Sequence, residues 1–216
     1  MDISLNKIIK GYGNFRKKYL SSQAKTIQHL MYAEQNPDIM IISCCDSRVE
    51  PSMIFECDPG DLFTVRNIAS IVPPYEKDNL HHGTSAALEF GVKFLNVKNL
   101  ILIGHSNCGG IRALLNENFE ENDFISNWIE VSKDAVLQCK SNSCSLEDCI
   151  KLSLNKSYEN CMTFPWIKEK VEEGTLFLHR WFFNLQTGTM TAYNPASCKY
   201  EDLEIAYAQT GQKHSS

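Results

Sequence analysis

Long apolar runs are missing from this chain of 216 residues. Its strongest ones, residues 39–43 and 100–104, are about five residues each, against the roughly 18–20 that a membrane helix needs. A basic excess is missing too. Lys+Arg number 21 and Asp+Glu 26, for a net charge of −5, so nothing in the charge balance marks a nucleic-acid binder. The first residues carry no basic segment leading into an apolar one, so no secretory signal is expected and a cytoplasmic location is. Glycine (11) and proline (7) are sparse, and no repeat, linker or low-complexity tract is evident. What remains is the composition of a globular chain, long enough for one sizeable core and short for two.

Cysteine, by contrast, is plentiful: nine residues, at 44, 45, 57, 108, 139, 144, 149, 161 and 198. An odd number in a chain without an export signal argues against a disulfide framework. The expectation is reduced thiols, mostly small buried hydrophobes or loop residues, with some available as metal ligands.

Hydrophobic periodicity gives the outline. Residues 4–20 and 21–33 have helical spacing with a Lys/Arg outer face, interrupted by Gly11-Tyr12-Gly13, where a break or kink is expected. Residues 39–43, 62–66 and 99–103 are short apolar runs bounded by turn signals, as strands buried on both faces are. Residues 83–95 have helical spacing between the second and third of these, and another helix starts near Cys108–Gly110. Beyond lie expected helices at 122–138, 146–161 and 165–173, a surface loop at 141–145, and a hairpin of 176–185 and 189–193 joined by Gln186-Thr187-Gly188. Alternating strands and helices predict an α/β fold around a central, mostly parallel sheet flanked by helices.

Two segments fall just past the carboxyl ends of predicted buried strands, where open α/β sheets place their sites. They are Ser43-Cys44-Cys45-Asp46-Ser47-Arg48 and Gly104-His105-Ser106-Asn107-Cys108-Gly109-Gly110. His105 and Cys108, at i and i+3, can bring an imidazole and a thiolate onto one metal, and Cys44 supplies a third ligand. Three protein ligands and an open fourth position are the catalytic rather than the structural zinc pattern. Asp46 and Arg48 can pair if the chain turns after Cys44, the guanidinium holding the carboxylate ionised. The glycines after Cys108 suggest a helix N-terminus able to hold an anion. Nucleotide binding is disfavoured, because the segment lacks both G-x-G-x-x-G and a P-loop lysine.

C-x-D-S-R followed by G-H-x-x-C-G-G resembles the β-class carbonic anhydrases, in their plant-like branch. The likeness continues through residues 58–69 (Asp-Pro-Gly-Asp-Leu-Phe-Thr-Val-Arg-Asn-Ile-Ala), 82–90 (His-Gly-Thr-Ser-Ala-Ala-Leu-Glu-Phe) and 173–179 (Glu-Gly-Thr-Leu-Phe-Leu-His). The resemblance implies one Zn2+ per chain on Cys44, His105 and Cys108, with Asp46 and Arg48 as the catalytic dyad. Gln35, Phe63, Ile68, Phe90 and Gly109 fall on substrate-pocket positions. The reaction implied is reversible hydration of CO2 to bicarbonate and a proton, by attack of zinc-bound hydroxide that Asp46 orients. Asp46 is expected to stay off the metal.

A pocket shared between chains further implies an obligate homodimer or higher even oligomer. In that reading residues 1–36 form a helical arm that packs on a partner subunit, 39–116 the zinc-site core, and 117–216 a helical region and late hairpin, all in one domain. Alternatives are a CS2 or COS hydrolase on the same scaffold, or a zinc-binding regulatory protein without turnover. The chain departs from the family pattern at Phe90, where tyrosine is common, at Cys45, where serine is usual, and at Arg180, where glycine is common. Nothing in the sequence accounts for Arg180. His29, His81, His82, His179 and His214 are nominal proton shuttles, none singled out.

Overall fold

A computed structural model of the chain describes residues 3–19, 33–78, 80–117 and 123–208. Six strands form one sheet: β1 (Ile39–Cys44), β2 (Leu62–Asn67), β3 (Asn99–His105), β4 (Phe177–Phe183), β5 (Met190–Asn194) and β6 (Lys199–Asp202). Their spatial order is β2-β1-β3-β4-β5-β6. The first four pair in parallel and the last two add on antiparallel. The sheet is therefore mostly parallel and helix-flanked, as expected.

The continuous apolar runs of β1 and β3 have the physical cause predicted for them, burial on both faces. On one face, Met40, Ile42, Leu100 and Leu102 pack with Leu88 and Val92, with Leu154 of the helix Leu146–Cys161, and with Phe164 and Ile167. On the other, Ile41, Ile101 and Ile103 meet Phe55 and Trp181. Each such side chain, fully buried, contributes about 1.5–3 kcal/mol relative to exposure. Gly104 lets the helix Leu146–Cys161 close onto β3, since a Cβ there would lie 3.2 Å from Ile150 Cγ2 and 3.5 Å from Leu154 Cδ2. That helix starts in a reciprocal cap. Ser145 Oγ accepts from the Asp148 amide at 3.2 Å, and Asp148 Oδ2 accepts from the Ser145 amide at 3.1 Å.

Several expectations need correction. No break occurs at Gly11-Tyr12-Gly13, because Ile3–Tyr19 is one continuous helix. Two interior glycines cost a helix about 1 kcal/mol each, which weakens it without breaking it. Arg16, Lys17 and Lys18 fall in its last turn, where they complement the helix dipole. Ile3, Leu5, Ile8, Ile9, Tyr12 and Phe15 are all exposed on this helix, none of whose residues is fully buried among the described residues. The second N-terminal helix falls mostly on residues outside the described ones. Residues 122–138 are not one helix: Phe124–Ile129 and Lys133–Ser141 are separated by a 3-10 turn, Glu130–Ser132. The buried Ser132 hydroxyl, 2.7 Å from that of Ser153, anchors that turn to the neighbouring helix. After Glu89 the predicted helix 83–95 widens to π geometry over Phe90–Phe94.

The thiol expectation also fails at one pair. Cys139 and Cys149 form a disulfide between the helices Lys133–Ser141 and Leu146–Cys161, with Cα atoms 5.6 Å apart. The tight turn between the helices sets the two buried cysteines face to face, a proximity that sequence spacing does not reveal.

Candidate metal centre

β1 and β3 are hydrogen-bonded neighbours, so their carboxyl ends emerge side by side. Cys44 is the last residue of β1 and His105 the last of β3. After a two-residue turn, in which Asn107 takes a positive φ of 56°, Cys108 caps the helix Gly109–Asn116. The ligand atoms of Cys44, His105 and Cys108 lie within 4.8 Å of one another, and all three residues are buried. Sequence spacing and strand-end placement had brought these three together, and the fold does so.

The chemistry of the set suits a cation. His105 Nδ1 lies 2.9 Å from the Ser106 carbonyl oxygen, which can only accept, so Nδ1 carries the proton. The lone pair is then on Nε2, which is buried and without a hydrogen-bond partner among the described residues. An orphaned imidazole nitrogen facing two sulfurs is what a metal ligand looks like with its second nitrogen already oriented. Main-chain N–H groups of Asp46 and Ala69 point at the Cys44 sulfur, and those of Gly110 and Ile111 at the Cys108 sulfur, all favouring thiolates. Cys44 is the more acidic thiol, its pKa lowered mainly by a hydrogen bond from Cys108; the same contact, with burial, raises that of Cys108. The residues fit a thiophilic divalent ion, and the cluster could hold one.

Asp46 and Arg48 form the fork the spacing suggested. Arg48 Nε donates to Oδ1 at 2.9 Å, Nη2 to Oδ2 at 2.7 Å, and the Arg48 amide to Oδ1 at 3.0 Å. This pairing holds the Asp46 carboxyl well below the usual carboxylate range. With the carboxylate committed to Arg48, Asp46 is not part of the Cys-His-Cys cluster.

The positions expected around the substrate are less assembled. The Phe63 and Phe90 rings lie 5.8 Å apart, and Phe90 stacks on Phe94 at 5.6 Å. Phe90 and Ile68 remain 42% and 37% exposed. Gly109 is the exposed first residue of its helix, where the N–H has no intrahelical partner. Gln35 is exposed on the segment before β1.

Sequence reasoning missed the residues that hold the site in shape. Arg66, on β2, donates from Nε to the Cys44 carbonyl at 3.0 Å and from Nη2 to the Asp46 carbonyl at 2.8 Å, while Nη1 pairs with Glu50. Asn67 then ties down a turn in which two consecutive non-glycine residues, Ala69 and Ser70, have φ of 63° and 57°. Its Nδ2 donates to the Ile71 carbonyl at 2.8 Å and its Oδ1 accepts the Ile71 amide at 2.9 Å. Ser70 Oγ donates to the Ile103 carbonyl at 2.6 Å. Left-handed backbone is costly for non-glycine residues and persists where several contacts over-determine it. Here it aims the Ala69 N–H at Cys44. The same turn explains Gly110, where a Cβ would fall 2.8 Å from Ile68 Cγ2 and 3.1 Å from Ala69 Cβ. The signal lay in Arg66-Asn67-Ile68-Ala69, to whose polar members no role had been given.

Residues 39–190 match the family model described as carbonic anhydrase. β-Carbonic anhydrase 5, a chloroplastic protein of Arabidopsis thaliana, is 41% identical over 187 residues, covering 83% of this chain and 58% of its own length. The chain thus spans little more than half of that relative. Among solved structures, the β-carbonic anhydrase CcaA superposes with a TM-score of 0.84 at 30% identity, over 93% of this chain and 92% of that one. Tetrameric β-carbonic anhydrases from Sordaria macrospora superpose at 0.76 with 26% identity, over 88% and 97%. No described helix is long and apolar enough to cross a membrane.

Proposed function

The chain belongs to the β-carbonic anhydrase family, and from that premise we propose that it catalyses the reversible hydration of carbon dioxide to bicarbonate and a proton. The observation that carries this reading is the Cys44, His105 and Cys108 cluster beside an arginine-held carboxylate. Zn2+ is the proposed cofactor, one per chain. Bound there, it supplies the Lewis acidity that lets water ionise near neutral pH. Cys44 and Cys108 hold it as thiolates and His105 through Nε2.

Asp46 keeps lone pairs beyond those that Arg48 occupies, and with them accepts a hydrogen bond from the attacking water, fixing its orientation. The Arg48 fork keeps that carboxylate ionised and directed at the guanidinium, which supports the expectation that Asp46 stays off the metal. Phe63, Ile68 and Phe90 form a wall suited to CO2, which is apolar and offers little to grip. Gln35 and the Gly109 N–H supply donors for oxygen atoms.

The exposure of Gln35 and Phe90 in the single chain supports a pocket completed by a second copy, in a homodimer or higher even oligomer. A cytoplasmic location is part of the same proposal. The test is stopped-flow CO2 hydration with zinc quantified in the same preparation, and COS and CS2 run in parallel. Turnover of CO2 that follows zinc content supports the assignment. One equivalent of zinc with no hydration above buffer overturns it, as does faster turnover of either sulfur compound.

A further inference from the structure

Away from the metal centre, a cavity of about 360 Å³ opens beside β4 and the end of β5, lined also by residues of the helices Leu146–Cys161, Pro165–Glu172 and Leu203–Ala208. It is large enough for a small organic molecule, and Arg180 is the one charged side chain on its wall. No carboxylate lines it. His179, also on the wall, is neutral near pH 7: burial lowers its pKa to about 4, and its ring nitrogens lie 3.0 Å from Asn99 Oδ1 and 2.6 Å from the Tyr207 hydroxyl.

Arg180 is held in an unusual way. Its guanidinium carbon sits 3.7 Å from the Tyr193 ring centroid and 4.3 Å from that of Tyr158, so a phenol covers each face. Nη1 donates to Asn155 Oδ1 at 2.7 Å. No acid pairs with it among the described residues, whereas Arg48 and Arg66 each pair with a carboxylate. Beside Tyr193, the Tyr200 hydroxyl is buried and has no hydrogen-bond partner among the described residues. A guanidinium carries five N–H donors in one plane. With both faces stacked, the free donors are reachable only edge-on, in the plane that a carboxylate matches with two parallel bonds. A single cation on the cavity wall suits a single negative charge better than a phosphate dianion. Val171, Leu176, Leu178 and Ala206 furnish apolar wall for the rest of the molecule.

We propose that this cavity is a binding site, separate from the metal centre, for a small organic monocarboxylate with an apolar body, its carboxylate seated edge-on against Arg180. Arg180, for which the sequence offered no account, then has a role.

The experiment is isothermal titration of the zinc-loaded full chain with 3-phenylpropionate, its uncharged amide, and inorganic phosphate, with CO2 hydration measured beside it. The expected result is one 3-phenylpropionate site per chain that Arg180→Gln weakens by about tenfold or more, with hydration unchanged by the substitution. Ala206→Phe, which fills the cavity and leaves Arg180 in place, should weaken binding too, and this holds the test if Arg180→Gln folds poorly. The proposal is overturned if the amide binds equally well, if phosphate binds more tightly, or if Ala206→Phe leaves affinity unchanged. It is overturned as well if all carboxylate binding is accounted for by inhibition of hydration that Arg180→Gln does not alter.

Discussion

Two pairs of cysteines, Cys44 with Cys108 and Cys139 with Cys149, sit in the same buried cluster around Ile71, Ile111 and Phe182, yet they are put to opposite chemical use. Cys139 and Cys149 face each other across two helices and close a covalent bond. Cys44 and Cys108 come from a strand end and a helix cap, each with main-chain N–H groups aimed at its sulfur and with a tautomer-fixed imidazole between them. Burial is common to both pairs, so burial does not decide the outcome. What differs is the supply of fixed donors, which stabilises thiolate, and a third ligand, which makes a cation preferable to a bond between the sulfurs.

The largest effect should come from removing the open pair's metal chemistry. Cys108→Ser is expected to lose the metal and to lower CO2 hydration by more than about a hundredfold, measured by stopped flow with metal analysis of the same sample. Retention of one zinc equivalent by the variant would separate metal holding from this pair. Asp46→Asn should come next. It keeps the three ligands, so zinc content should stay at one per chain while turnover falls by about a hundredfold or more. Near-unchanged turnover would remove Asp46 from the reaction.

Arg48→Gln sharpens the same contrast through pH. The Asp46 pKa is depressed chiefly by Arg48, so its ionised form persists as pH falls, and what it contributes is lost only on passing down through that low value. Without the guanidinium the carboxyl returns toward its ordinary range, still below the near-neutral ionisation of water that the bound metal would promote, so kcat/KM should fall by about tenfold or more with its acid limb unmoved. A limb that shifts with the substitution would mean that Asp46 ionisation sets it.

How much of this was legible in the sequence depends on what each feature rests on. β1 and β3 were visible because burial on both faces leaves uninterrupted aliphatic runs. The ligand set was visible because two motifs end those strands. The edge strand β6 was not: Lys-Tyr-Glu-Asp carries charge, as exposed sheet edges do, and has no apolar alternation to detect. The positioning turn was hidden because left-handed Ala69 and Ser70 are imposed by the side-chain contacts of Asn67 and Ser70, against their own preferences. The disulfide was hidden because it depends on the tight turn between the helices Lys133–Ser141 and Leu146–Cys161, which the sequence spacing alone does not define.

The smallest effect should belong to that disulfide, and it tests the comparison from the other side. Replacing both Cys139 and Cys149 with alanine removes a cross-link between residues 10 apart; a loop that short constrains the unfolded chain by roughly 2–3 kcal/mol. The double variant should therefore unfold at lower denaturant concentration, and dithiothreitol should shift the unaltered protein most of the way to the same midpoint. Cys144→Ser is the internal control, since Cys144 lies between the two in sequence as a free, partly buried thiol, and its midpoint should respond to reductant as the unaltered protein's does. Zinc content and CO2 hydration should be unaffected in the double variant under conditions where it remains folded. If the metal is lost along with the bond, the two sulfur pairs are one coupled unit, because Ile111 and its neighbours in the shared cluster would then transmit the loosening of one pair to the other.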